Sequence, residues 1–197
     1  MVGIVLGAGS SRRLGRPKQT LPLGDTTLLG WVMRDVEGSS LERVVLVVGG
    51  AAEAALAGLT LCRAAVVHND VYGDGCAASL LAGLDAAGNC DSVMLLLGDM
   101  PGVDSQLIDL ARRGWERERP WAAVTSYEDA LGHPFVFSAR AFASLRGLHG
   151  DKAVWKLVER HPERVTRIPV PRRLPRDVDT WDDYRQVTAE WAARAPS

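Results

Sequence analysis

The sequence predicts an α/β protein built on a mostly parallel, doubly wound sheet, and two observations lead to this fold class. Four short segments consist of consecutive apolar residues, which is typical of strands buried on both faces by helices. Between them lie stretches with apolar residues at helical spacing, so predicted strands and helices alternate along the chain. The four predicted strands are Val2–Leu6, Val44–Val48, Ala64–Val67 and Val93–Leu97.

The segments between and after these strands predict the remaining elements. Thr26–Glu37 repeats apolar residues at helical spacing before a glycine, and Asp104 is placed to cap a helix that starts at Ser105. Right-handed crossovers through such helices join parallel strands. The other predicted helices are Ala51–Ala57, Cys76–Ala87, Ser105–Arg113, Asp151–Arg160 and Trp181–Arg194; the other predicted strands are Trp121–Thr125 and Phe135–Phe137, and Pro169–Pro175 is an extended connection.

Composition limits the classes of protein to which the chain can belong. The 197 residues include 47% hydrophobic and 24% charged residues, which is ordinary for a single domain over residues 1–197 and excludes disorder as the main state. The formal net charge of −1 argues against a nucleic-acid partner. Three widely spaced cysteines indicate neither disulfides nor structural zinc. The apolar start is too short for a signal peptide or a membrane span, so we expect a cytoplasmic protein without a membrane partner.

The segment after the first strand combines glycines with a dense group of cations. Gly7 and Gly9 allow the backbone to approach a ligand closely and to offer N–H groups. Four basic side chains follow, at Arg12, Arg13, Arg16 and Lys18. This composition suits a polyphosphate, and a surface turn with solvated arginines is the alternative. The segment is neither a P-loop nor a dinucleotide fingerprint, because Arg16 follows Gly15 and Arg12 occupies the third glycine position.

An acidic residue directly follows the fourth predicted strand. Asp99 lies in Gly98-Asp99-Met100-Pro101, at the end of a strand that is predicted to be buried. A carboxylate in such a place lowers the stability of the protein unless it is hydrated, paired or bound to a metal. Asp104 already caps the next predicted helix, which favours a ligand role for Asp99. Because Mg²⁺ typically takes one or two protein carboxylates together with phosphate oxygens, a second carboxylate is expected. Spacing leaves four candidates open: Asp74, Asp151, Asp177 and Asp179.

Several motifs, in order along nearly the whole chain, resemble those of the MobA-like nucleotidyltransferases, and most closely those of the molybdenum cofactor cytidylyltransferases. The stretch from Leu6 to Lys18 is similar to the pattern L-x-A-G-x-S-x-R-M-G-x-P-K, and together with the Gly-Asp-Met-Pro motif it is specific to the superfamily. Gly132-His133-Pro134 and the Asp177–Tyr184 segment favour the cytidylyltransferase branch. Further matches are Asn69, Gly75, the run from Ser79 to Leu84, and Gly150-Asp151.

The resemblance implies a three-layer α/β/α, Rossmann-like fold and an Mg²⁺-dependent enzyme. Such an enzyme transfers a nucleoside monophosphate from an NTP to a small phosphorylated acceptor and releases pyrophosphate. The resemblance assigns catalytic roles to Lys18, Arg13 and Asp99, and it places the metal on Asp99 and Asp179. The implied nucleotide-binding residues are Leu6, Gly7, Ala8, Gly9, Ser10, Arg13, Lys18, Asn69, Ser79 and Asp99, and those on the acceptor side, in the C-terminal half, are His133, Asp151 and Lys152.

Alternatives remain for the substrates and for two side chains. CTP and a molybdopterin-type acceptor are preferred, with an acceptor enzyme as a candidate protein partner; GTP, or a sugar-phosphate acceptor, is the nearest rival. Ala153-Val154-Trp155 replaces the Gly-Ala-Arg typical of the family, which bears on the acceptor more than on the NTP. A non-catalytic nucleotide-binding module is the alternative class, but the presence of both metal carboxylates favours the enzyme. A structural histidine is the alternative for His133, and a cap of the following helix is the alternative for Asp151.

Overall fold

The computed structural model describes residues 1–9, 11 and 13–194, and its main feature is a seven-stranded sheet. The strands of the chain are β1 Val2–Leu6, β2 Pro22–Leu23, β3 Thr26–Thr27, β4 Arg43–Val48, β5 Ala64–His68, β6 Ser92–Leu97, β7 Ala122–Ser126, β8 Leu131–Ser138 and β9 Val165–Pro169. The sheet has the order β5-β4-β1-β6-β8-β7-β9, and β8 runs antiparallel to both of its neighbours. The other strand pairs of this sheet are parallel, while β2 and β3 form a separate hairpin.

Helices cover both faces of the sheet. The α-helices are α1 Leu28–Gly38, α2 Ala52–Leu56, α3 Cys76–Ala87, α4 Ser105–Glu118, α5 Phe142–Arg146, α6 Ala153–Arg160 and α7 Trp181–Arg194. Apolar side chains of α1, α2 and α4 pack on one face, and those of α3, α5 and α6 pack on the other. The predicted α/β/α, doubly wound architecture is therefore confirmed. In the part of the chain that the structure describes, no helix is long and apolar enough to span a bilayer.

The central strands are buried as their continuous apolar sequences predict. Side chains of β1, β4 and β6 point alternately into the two cores, so neither face of these strands tolerates polar residues. Helix α3 comes closest to β1 at Gly83, where an added Cβ would lie 2.4 Å from Cγ2 of Ile4. This close approach packs α3 directly on β1.

Three elements were not predicted from the sequence: β9, the β2–β3 hairpin and α5. β9 lies at the edge of the sheet and is largely exposed or half-buried, so it contains no continuous apolar run. The hairpin strands have two residues each and α5 has five, which is too short for a periodic signal. The predicted strand Phe135–Phe137 is the C-terminal part of the longer β8. Helix α4 continues past Arg113 because Trp115 adds to its buried face.

A third, smaller apolar cluster joins the N-terminal and C-terminal parts of the chain. It contains Leu14, Leu21, Leu23, Leu28, Val178 and Val187, with Trp31, Tyr184 and Trp191 packed against them. The rings of Trp31 and Trp191 have centroids 3.9 Å apart, and the hydroxyl of Tyr184 donates to the carbonyl oxygen of Pro22 at 2.6 Å. Helix α7 is thereby anchored beside the segment that follows β1.

His133 lies in β8, and its side chain is part of the core. It is 9% exposed, its Nδ1 lies 3.2 Å from the carbonyl oxygen of Leu95, and its ring packs edge-on against Phe135. Because a carbonyl oxygen can only accept, Nδ1 carries the proton of a neutral ring. Burial lowers the pKa of His133 to about 4. This environment favours the structural role of His133 over contact with an acceptor.

We expect His133 to make the stability of the protein depend on pH. Between pH values of about 6.5 and about 4 the unfolded chain binds a proton that the folded chain does not. The free energy of unfolding should therefore fall by about 2 kcal/mol between pH 7 and pH 5 from this group alone. Urea unfolding at both pH values measures the effect against His133→Asn, whose amide can donate to the same carbonyl. The exposed His68→Asn is the control, and equal losses in His133→Asn and wild type would contradict the prediction.

Candidate nucleotide-binding site

A cavity of about 400 Å³ opens at the carboxyl ends of the central strands. Its wall includes Leu6 at the end of β1, Leu97 at the end of β6, and Cys76 at the start of α3. Open parallel sheets bind their ligands at this edge. The site residues expected from the sequence that lie in the wall are Leu6, Ala8, Gly9, Arg13, Lys18, Ser79, Asp99, Asp151 and Asp179.

Of the other expected site residues, those that the structure describes lie behind or outside this wall. The N–H of Gly7 donates to the carbonyl oxygen of Val47 at 2.8 Å. The side-chain amide of the buried Asn69 donates to Oγ of Ser79 at 3.0 Å, so Asn69 supports a wall residue rather than lining the cavity. Lys152 is exposed just before α6, and its φ is +55°. Ser10 lies outside the described residues.

Gly98 places Asp99 against the loop that follows β1. The N–H of Gly98 donates to the carbonyl oxygen of Leu6 at 2.9 Å. A Cβ at position 98 would lie 3.0 Å from that same oxygen and 3.2 Å from Cα of Gly7. Only glycine therefore allows the ends of β1 and β6 to lie this close together.

Lys18 joins the two carboxylates that the family resemblance assigned to the metal. Its Nζ donates to Oδ1 of Asp179 at 2.8 Å and also contacts the carboxylate of Asp99. The guanidinium of Arg13 donates to the other oxygen of Asp179 at 2.9 Å. The side chains of Lys18 and Asp99 are only 12% and 15% exposed, whereas that of Arg13 is 68% exposed. Both carboxylates can thus face a single cation.

The residue that precedes Asp179 explains why this aspartate reaches the site. Val178 is completely buried in the third apolar cluster, and its N–H donates to the carbonyl oxygen of Asp99 at 3.1 Å. Thr180 and Asp183 then cap the start of α7 reciprocally, with the Thr180 N–H donating to Asp183 at 2.9 Å and the Asp183 N–H donating to Thr180 at 3.2 Å. These contacts fix the backbone on both sides of Asp179.

Burial and charge shift the pKa values of this group in different directions. Burial lowers the pKa of Lys18, but the carboxylates of Asp99 and Asp179 raise it by more. The pKa of Lys18 therefore lies above its ordinary value. Burial raises the pKa of Asp99, and the ammonium of Lys18 offsets only part of this rise. Partial burial also raises the pKa of Asp179, but Lys18 and Arg13 more than compensate and hold it below its usual range. Lys18 therefore remains charged at neutral pH.

The start of α3 forms the opposite side of the cavity, and Asp151 reaches it from the C-terminal half. Oδ1 of Asp151 accepts from the N–H of Cys76 at 3.0 Å, so Asp151 caps α3 rather than the helix that follows it in sequence. The N–H of Ala77 donates to the carbonyl oxygen of Gly150 at 3.3 Å. Burial, with Asp151 and Asp99 nearby, raises the pKa of Cys76 to about 11, which keeps its thiol protonated at neutral pH.

Two residues of the wall were not identified from the sequence. Tyr72 lies over Gly49 and Gly50, where an added Cβ would come within 2.9 Å and 2.3 Å of its ring and hydroxyl atoms. The glycine pair directly after β4 is the signal that an aromatic ring covers this backbone. Gln19 is buried beneath the loop that follows β1. A single polar residue next to Lys18 has no pattern that would reveal this position.

Comparison with known proteins identifies the family. The sequence model described as the MobA-like NTP transferase domain matches residues 3–165. The chain belongs to this family. The chain is 30% identical over 145 residues to nicotine blue oxidoreductase of Paenarthrobacter nicotinovorans, covering 71% of each chain. It is 27% identical over 182 residues to the probable molybdenum cofactor guanylyltransferase of Opitutus terrae, covering 88% of this chain and 87% of the relative.

Solved structures agree with this assignment. The crystal structure of a homologue of Mycobacterium tuberculosis Rv0371c from Mycobacterium sp. strain JC1 has a TM-score of 0.91 and 39% identity, covering 98% of both chains. The manganese complex of Rv0371c from Mycobacterium tuberculosis H37Rv has a TM-score of 0.79 and 38% identity, covering 95% of this chain and 97% of that one. The predicted enzyme class, a nucleotidyltransferase, is confirmed.

Proposed function

We propose that this nucleotidyltransferase transfers a nucleoside monophosphate from an NTP, with CTP preferred, to a molybdopterin-type phosphorylated acceptor in the presence of Mg²⁺. The observation that carries the proposal is the contact of Lys18 with both Asp99 and Asp179 in the wall of the cavity. These side chains lie beside Gly7–Gly9, the glycine loop that follows β1. A triphosphate requires cations on the protein, whereas two adjacent carboxylates suit a divalent ion. A module that only bound a nucleotide would have little need for both carboxylates.

The residues fit a divalent ion whose coordination the substrate completes. Asp99 and Asp179 approach one ammonium, and no group of three or more His, Cys, Asp or Glu side chains among the described residues is arranged to hold a metal. Mg²⁺ commonly takes one or two carboxylates and obtains its other oxygens from phosphates and water. When bound, the ion supplies positive charge to the phosphates. The manganese complex of Rv0371c supports a divalent-ion site in this chain.

The chemistry requires positioning and charge rather than a nucleophile from the protein. An oxygen of the acceptor phosphate attacks the α-phosphorus, the bond to the β-phosphate oxygen breaks, and pyrophosphate leaves. Lys18 and Arg13 stabilise the negative charge on the transferring and leaving phosphates. The acceptor phosphate is largely ionised at neutral pH, so no general base is needed. The protonated thiol of Cys76 is consistent with a wall residue that takes no covalent part.

The acceptor is assigned to the side of the cavity where Asp151 meets the start of α3. The loop that carries Asp151 comes from the C-terminal half of the chain, whereas the glycine loop comes from the N-terminal half. The relative from Opitutus terrae supports a molybdenum cofactor substrate, and its name also supports GTP as the rival of CTP. The relative named nicotine blue oxidoreductase is the reason to test a second candidate, an oxidoreductase activity in the same cavity.

Pyrophosphate release decides among these functions. CTP, GTP, ATP and UTP are each assayed with a molybdopterin-type acceptor or a sugar 1-phosphate, with Mg²⁺ or with EDTA. We expect release with CTP and the pterin acceptor, and none with EDTA. Faster release with GTP or with the sugar phosphate would assign the rival substrate. Metal-independent thermal stabilisation by every NTP without release would indicate a binding module, and electron transfer from a general reductant such as NADH or NADPH to an added redox dye, without pyrophosphate release, would indicate an oxidoreductase.

A further inference from the structure

Gln19 lies beneath the glycine loop and makes an unusual set of contacts. It is 3% exposed and follows Lys18 within one short 3-10 turn, Lys18–Thr20. Its Nε2 donates to the carbonyl oxygen of Gly7 at 2.7 Å and to that of Gly9 at 3.1 Å. The opposite orientation of the amide would place its oxygen against two carbonyl oxygens, so these partners fix which atom is the donor.

The oxygen of the same amide has no hydrogen-bond partner among the residues that the structure describes. Among the described residues, Oε1 of Gln19 is the one buried side-chain nitrogen or oxygen atom in this situation. A buried acceptor without a donor lowers stability, and an apolar side chain of equal length would avoid this cost. The two hydrogen bonds that the amide donates to the loop are therefore the reason to expect a functional role at this position.

These hydrogen bonds determine which groups the glycine loop presents to the cavity. Carbonyl oxygens are partially negative, so oxygens directed at a triphosphate would weaken its binding; Gln19 engages two of them. In a trans peptide the N–H points opposite to the carbonyl. The N–H of Ala8 therefore points away from Gln19, and Ala8 lies in the cavity wall.

Gln19 also couples the loop to Lys18. An added Cβ at Gly9 would lie 3.5 Å from Cε of Lys18 and 3.7 Å from Nε2 of Gln19, so both side chains pack against the same glycine. The N–H of Lys18 donates to Oγ of Ser11 at 2.9 Å, so a hydrogen bond joins the two ends of the segment from Ser11 to Lys18. The glycine loop and the side chain of Lys18 are thus packed against each other.

We infer that Gln19 is a positioning residue that sets the geometry of the glycine loop and Lys18 for the phosphate chain of the NTP. The inference rests on the proposed function and deepens it. Gln19 acts through the backbone of Gly7 and Gly9 and through its neighbour Lys18. Its loss should therefore affect the NTP and leave the acceptor side of the cavity, near Asp151, unchanged.

Two variants of Gln19 test this inference. Gln19→Met keeps the length of the side chain without the donor, and Gln19→Glu keeps the shape but places a carboxylate against the two carbonyl oxygens. We expect KM for the NTP to rise about tenfold in Gln19→Met and further in Gln19→Glu, whereas KM for the acceptor stays within about twofold of wild type. Gln186→Met, at an exposed position on α7, is the matched control and should leave both constants unchanged.

Each outcome separates this inference from the proposed function. If wild type releases pyrophosphate and the folded variants keep the wild-type KM for the NTP, Gln19 is only structural and the inference fails alone. If both KM values rise equally, the residue does not act on the NTP specifically and the inference also fails. If wild type releases no pyrophosphate with any NTP, the proposed function itself fails.

A measurement on the wild-type protein covers the case in which neither variant folds. In ¹⁵N-labelled protein the side-chain NH₂ protons of Gln19 should exchange slowly with solvent and shift when a non-hydrolysable NTP is added. They should not shift when the acceptor alone is added. Rapid exchange, or equal shifts with both ligands, would overturn the inference.

Discussion

Asp99→Asn is expected to lower the rate of pyrophosphate release by about 10³-fold while weakening NTP binding by less than about tenfold. The asparagine keeps the shape of the side chain but removes the negative charge that faces Lys18 and the proposed metal. NTP binding survives because the glycine loop, Arg13 and Lys18 remain in place. Pyrophosphate release measures the chemical step, and titration with a non-hydrolysable NTP measures binding separately.

Asp91→Asn is the matched control for this variant. Asp91 is exposed and directly precedes β6, at the opposite end of the strand that leads to Asp99. The Asp91→Asn enzyme should release pyrophosphate at the wild-type rate. Wild-type turnover in Asp99→Asn, or an equal loss in Asp91→Asn, would remove Asp99 from the proposed mechanism.

Lys18→Met is expected to have two opposite effects. Pyrophosphate release should fall by about 10²-fold to 10³-fold, because the charge that Lys18 supplies to the phosphates is lost. The affinity for Mn²⁺ without nucleotide should instead increase by about tenfold or more, because the ammonium no longer competes for Asp99 and Asp179. Calorimetric titration with Mn²⁺ at pH 8 measures this affinity.

The exposed Lys156→Met provides the control for the loss of a lysine. It should leave both turnover and Mn²⁺ affinity at the wild-type level. A Lys18→Met protein that is folded but binds Mn²⁺ no more tightly than wild type would show that the ammonium and the metal ion do not share the two carboxylates.

Local sequence patterns predicted much of the fold and of the site. Continuous apolar runs predicted four parallel strands, and the structure contains them as β1, β4, β5 and β6. Burial on both faces holds for β1, β4 and β6, but it is wrong for β5, which lies at the edge of the sheet and is half-buried or exposed. Residues that closely follow such a strand must lie at the carboxyl edge of the sheet, which is why Asp99 could be proposed from the sequence. Lys18 was proposed from the cationic, glycine-containing segment after β1 and from the family resemblance. Asp104 was recognisable as a cap because its partner, the N–H of Leu107, lies only three residues away.

Features that depend on contacts between distant residues were not predictable. Spacing left Asp74, Asp151, Asp177 and Asp179 as equivalent candidates for the second carboxylate. The burial of Val178 and its hydrogen bond to Asp99 bring Asp179 to the site, while Asp151 caps α3. The edge strand β9 buries only Ile168 fully, so its sequence needs no continuous apolar run.

By itself, the sequence determined the α/β class, the order of the central elements and the loop and strand end that carry Lys18 and Asp99, because hydrophobic periodicity and turn residues act over a few positions. The family resemblance, and no local pattern, had assigned Asp179, and the tertiary structure shows the contacts that bring it to Lys18. Only the tertiary structure decided that His133 belongs to the core and that Gln19 holds the glycine loop. These depend on which apolar surfaces pack together, and a single sequence does not encode that packing in any local pattern.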